Sequence, residues 1–148
     1  MEQSDRDTIR QIISRNGKKF VEKIVTEESS SDVETLTIIC NEGLHPIPKE
    51  FIEGEMYVAS QGNLDFSSVE AVNDEIDAIL FGLKIKLHER PWKKVILIPF
   101  GHSVICMNIK MAVYRVLRLE TVDLFFFGNG KYGAIERETR SVLIKNSA

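Results

Sequence analysis

The chain is short of the residues that force a protein into a special class. It has only two cysteines, Cys40 and Cys106, each in an apolar segment and together forming no CxxC. That excludes a disulfide-stapled miniprotein and reads as reduced, buried thiols in a cytoplasmic protein. No apolar run approaches the ~18 residues of a membrane span. The acidic start Met1-Glu2-Gln3-Ser4-Asp5, with no apolar run behind it, predicts no signal peptide. HExxH and Cys/His ligand sets are absent, and His45, His88 and His102 lack ligand spacing, so neither a metal nor a cofactor is expected. GxGxxG, GxxxxGKS/T and GxSxG are missing too, which withdraws support from the usual dinucleotide, NTP and hydrolase loops.

A further absence is local. Between Arg90 and Leu119 there is no Asp or Glu, while Arg90, Lys93, Lys94, Lys110, Arg115 and Arg118 give that window +6 in a chain of net charge −3. The mildly acidic whole argues against non-specific DNA or membrane binding. The window reads as a buried strand, Val95 to Phe100, a Gly101-His102-Ser103 turn, and a helix over 103–119. A strand running through such a turn into a helix aims free N–H groups and the positive helix end at one spot, which predicts an anion site. The bland alternative is that Ser103 caps the helix and His102 is merely exposed.

At 148 residues the chain is expected to be one α/β domain. Ser4 or Asp5 caps a first helix with Ile9, Ile12 and Ile13 on its apolar face. Phe20–Thr26 and Val33–Cys40 read as an antiparallel pair, so residues 1–32 form a helix and hairpin arm. Asn41–Glu50 is a loop, Glu55–Ser60 a strand, and Asp65 caps a long helix with Val69, Val72, Ile76, Ile79, Leu83 and Leu87 on one face. Asp74, Glu75 and Asp77 form its solvated face rather than a carboxylate site. Val122–Phe127 is another strand, Gly128-Asn129-Gly130 a turn, Lys131–Arg137 a returning β-arm, and 136–148 a tail with an edge strand. The helix 103–119 is apolar almost all round, as a central or subunit-contact helix would be.

Alternating strands and helices over 33–135 predict a mainly parallel sheet with right-handed crossovers, whose ligands sit at the carboxyl ends of the strands. Those ends are Ser60-Gln61-Gly62-Asn63, Phe100-Gly101-His102-Ser103 and Gly128-Asn129-Gly130-Lys131. The last is a plain hairpin turn, or else it sets Lys131 and Tyr132 beside a ligand as phosphate partner and stacking surface.

The stretch Lys94 to Leu117 (KVILIPFGHSVICMNIKMAVYRVL), with Thr121–Phe127 and Gly130-Lys131-Tyr132, resembles the second half of a SAVED domain and, more distantly, CARF (CRISPR-associated Rossmann fold) domains. The resemblance implies a Rossmann-like three-layer sandwich. It implies a sensor of a cyclic oligonucleotide second messenger in antiphage defence of the CRISPR or CBASS kind. Its ligand residues would be Phe100, Gly101, His102 and Ser103 and, at the last strand, Asn129, Lys131 and Tyr132; Gln61 and Asn63 correspond only by place in the sheet. Phe-Gly-His-Ser departs from the small, Ala- and Pro-rich loop usual in SAVED domains. A single half would pair with a second copy or another protein, as a homodimer or with an effector. Bases would stack on Tyr132, Phe100 or Tyr57. Two rival functions stand beside the non-enzymatic sensor: a ring-nuclease-type enzyme using His102 and Ser103, and a ligand-free interaction subunit.

Overall fold

The computed structural model describes residues 34–43 and 45–145. They belong to one compact unit that begins at Glu34. The expected helix around Ile9–Ile13 and the run Phe20–Thr26 lie outside the described residues.

Five strands form one sheet in the order β2-β1-β3-β4-β5. They are β1 (Thr35–Ile39), β2 (Glu55–Val58), β3 (Lys94–Ile98), β4 (Val122–Gly128) and β5 (Lys131–Ile135). β1 pairs in parallel with β2 on one side and with β3 on the other, β3 pairs in parallel with β4, and β4 and β5 form an antiparallel hairpin. The sheet is thus mainly parallel, as the alternation predicted. Both edges of β1 are occupied, so Val33–Cys40 supplies a central strand rather than half of an antiparallel pair. Its residues are buried throughout, the two threonines included, as suits a strand covered on both faces.

Helices α1 (Val69–Leu87) and α2 (Ser103–Leu117) follow β2 and β3. Both pack on the same face of the sheet, where Ile76, Ile79, Leu83, Leu87, Ile105, Ile109 and Val113 meet Leu36, Ile38, Val95 and Leu97. The reason is handedness: both crossovers step across the sheet in the same direction, so right-handed connections must share a face. The β1–β2 connection steps the other way and crosses the opposite face. There it is a loop with one 3-10 turn (Lys49–Phe51), and Ile47, Phe51 and Ile52 cover Ile39, Ile98 and Leu124. Thr37, fully buried on that face, donates to the Glu53 carbonyl (2.7 Å) and accepts from its N–H (3.1 Å). The expected third layer is therefore, among the described residues, a strapped loop and not a helix.

The tail also differs from expectation. Thr139–Lys145 is a short helix, α3, not an edge strand. Its first N–H, that of Thr139, is taken by Glu120 Oε2 at 3.0 Å, an N-terminal partner from a distant loop that a local reading misses.

The edge beside β2 is held by a charge cluster. Lys86 Nζ lies 2.6 Å from Glu55 Oε1 and 2.8 Å from Glu89 Oε2, over the rings of Tyr57 and Trp92. Lys86 donation, backed by the Lys86 and Arg90 charges, lowers the Glu55 carboxyl below its ordinary value despite partial desolvation. Burial acts to lower the Lys86 pKa, but its two carboxylate partners outweigh that and hold it above the ordinary lysine value. A depressed carboxyl stabilises the fold above its unfolded pKa and loses that contribution as pH falls through the folded value. The raised ammonium loses its contribution only as pH rises past its unfolded value of 10.5. Urea denaturation as a function of pH should therefore show an acid limb below pH 4.5 that flattens in Glu55→Gln, with no matching change at neutral pH.

Candidate functional site

All four parallel strands end on one rim, so the three predicted loops do converge there. The centre of the rim is the β3–α2 turn. Gly101 has φ +100°, and His102 occupies the helix N-cap position with extended backbone (φ −72°, ψ 135°) but caps nothing with its side chain. Gly101 to Val104 are exposed and no acidic residue stands in the first turn. By contrast α1 is capped, because Ser68 Oγ accepts from Ala71 N–H at 3.0 Å. Of the two long helices among the described residues, only α2 has an N-terminus without a side-chain cap, with N–H groups that have no intrahelical acceptor.

Beneath the turn lies Asn41, which the sequence reading passed over as the start of a loop. It is 4% exposed, and its Nδ2 donates to the Gly62 carbonyl at 3.0 Å. Its Oδ1 is buried without a partner among the described residues. A Cβ on Gly101 would sit 2.8 Å from Asn41 Cβ, so the glycine is required for close approach as well as for its φ. Glu42 and Gln61 extend the β1–β2 pairing by one bridge, and Gln61 Nε2 donates to Glu42 Oε2 at 3.1 Å. Gln61 is thus engaged with a carboxylate; Asn63 is exposed beside it.

Aromatic rings continue the rim on the loop-covered face. Phe100 meets His45 edge-on at 5.5 Å and Tyr132 at 6.3 Å, and Tyr132 meets Phe126 at 5.0 Å. His45 is a second residue the sequence reading missed, since only the fold brings its loop to Phe100. The Gly128–Lys131 segment is a true hairpin turn, with Asn129 (φ 53°) and Gly130 (φ 71°) both left-handed as that tight turn requires. The turn carries exposed Asn129 and Lys131 on the same rim.

Three groups of residues stand elsewhere than the sequence suggests. The ring of His102 turns onto Phe66 at 4.2 Å, on the helix-covered side, and so stands apart from Phe100 and Tyr132. Tyr57 lies in mid-strand under α1 beside Lys86 and Gly82, off the rim, where burial raises its hydroxyl pKa. The basic window also does not converge on the turn. Arg90 and Lys93 precede β3 and Lys94 opens it, all at the opposite rim, where they pair with Glu55, Glu34 and Glu53. Lys110 pairs with Asp123, and Arg115 and Arg118 sit at the far end of α2. A stretch contiguous in sequence is spread over a strand and a helix running in opposite directions, so its charge is dispersed. Lys131 is the lysine that the β4–β5 turn brings to the rim.

Among the described residues no cluster of three or more His, Cys, Asp or Glu side chains could hold a metal ion, and no helix is long and apolar enough to cross a membrane. Comparison with protein-family models, curated proteins and solved structures returns no match.

Proposed function

We propose that this chain is a non-catalytic binding module for a phosphate-bearing nucleotide, a cyclic oligonucleotide second messenger being the ligand class that its resemblance to SAVED and CARF domains implies. The observation that carries the reading is the adjacency, on one strand-end rim, of the uncapped α2 N-terminus at Gly101–Ser103 and the aromatic row Phe100, Tyr132 and His45. Backbone N–H groups suit a phosphate, and ring faces suit bases at roughly 1–3 kcal/mol each. The rim holds little net positive charge, so the ligand's charge is met by backbone dipoles and Lys131 rather than by an arginine cluster. Regulation follows if ligand bound across two subunits shifts their packing.

An interaction-subunit reading has its own support. Met107, Met111 and Tyr114 on α2, and Phe125 and Phe127 on β4, are about half exposed or more. The same surface would serve the oligomer that a half-size sensor needs. A thermal-shift panel of linear and cyclic nucleotides separates the two. The binding module predicts a rise in Tm for at least one cyclic oligonucleotide, because a ligand that binds only the folded state stabilises it. A flat response over the whole panel overturns the reading and leaves the interaction subunit. Linear products on incubation, lost in His102→Ala, would instead indicate an enzyme.

A further inference from the structure

The sequence reads the two cysteines as reduced, buried thiols, and both are free and buried; the fold sets them at the same end of β3. Cys40 follows the last residue of β1, and its N–H donates to the Ile98 carbonyl at 3.0 Å. Cys106 lies in the first turns of α2, its thiol 3.7 Å from the Phe100 carbonyl. Both side chains therefore lie over the same end of β3, on the helix-covered face, within one packed cluster. Neither has any part in the ligand reading above.

We propose that Cys40 and Cys106 are a redox modification site, a dithiol that closes to an intramolecular disulfide and fastens the first turns of α2 to the tip of β1. The two thiols are not equivalent. Cys40 is fully buried, and donation to Cys106 together with burial pushes its pKa up. Cys106 is 7% exposed, and the hydrogen bond from Cys40 holds its pKa below the ordinary value. Cys106 is thus the attacking sulfur and Cys40 the resolving one. With a peroxide as oxidant, the Cys106 thiolate attacks the O–O bond, giving a sulfenic acid and, after protonation, one water. The Cys40 sulfur then attacks the sulfenic sulfur, the S–S bond forms, and the hydroxyl leaves as a second water. Two thiols are oxidised as one peroxide is reduced. Access comes through local opening of the exposed Gly101–Ser103 turn, which leads into the helical turn that carries Cys106.

The test exposes the full chain to hydrogen peroxide, then counts free thiols by alkylation in denaturant and intact mass. The expected product is a monomer lighter by two hydrogens, with neither cysteine alkylated and both restored by dithiothreitol. In Cys40→Ser, dimedone should trap a sulfenic acid on Cys106. Two free thiols after treatment, a sulfinic acid on one cysteine, or a crosslink only between chains would each overturn the proposal.

Discussion

Replacing Gly101 with alanine should lower the stability of the fold by about 2–4 kcal/mol, read as a shift in urea midpoint with unchanged slope. Two costs combine. The residue holds φ +100°, where a side chain strains the backbone, and its new Cβ would meet Asn41 Cβ at 2.8 Å. Asn41 cannot retreat, because the backbone on either side of it is hydrogen-bonded, at Cys40 and at Glu42, and its amide is tied to Gly62. Gly133 offers the contrast. A Cβ there would approach Phe127 Cε2 at 2.6 Å, but that ring is 61% exposed and can swing away. Gly133→Ala should cost under about 1 kcal/mol. Equal effects at the two sites would mean that the β3–α2 turn is not braced by Asn41.

Tyr132→Leu should weaken nucleotide binding roughly 5- to 150-fold, the equivalent of about 1–3 kcal/mol for one lost base stack. Leucine keeps an apolar body against Phe51 and Phe100 while removing the ring face. Urea denaturation should then move by less than about 1.5 kcal/mol. A titration in which the affinity is untouched would remove Tyr132 from the site, and with it the aromatic half of the proposal.

How legible this was in the sequence varies by element. The three-and-four spacing of Val69 to Leu87 and the apolar run Val95–Ile98 suffice to locate α1 and β3, because each buries the face its own pattern dictates. The strand-end rule brought three loops to one rim without any contact information. What failed depended on distant partners. Ser141–Ile144 has the composition of a strand, yet Glu120 helps to start a helix there. The third layer was expected as helix, but a loop strapped by Thr37 does that work. Charge misled most: six cations in one stretch suggested a focus, and the fold sends them to the opposite rim or into ion pairs. Asn41, His45 and the Cys40–Cys106 contact join segments far apart in the chain, and nothing local signals them.

The central claim is that the open first turn of α2 takes the ligand's phosphate, and His102→Asp tests it most directly. An aspartate at this N-cap position, whose backbone is already extended, can accept from the first-turn N–H groups and should raise stability by about 1 kcal/mol. The same carboxylate would occupy and repel at the phosphate position. Calorimetric titration with the cyclic oligonucleotide that gives the largest thermal shift should therefore show at least about a tenfold loss of affinity, some 1.4 kcal/mol, in a variant that melts higher than the parent chain. Undiminished affinity in that more stable variant would contradict the account.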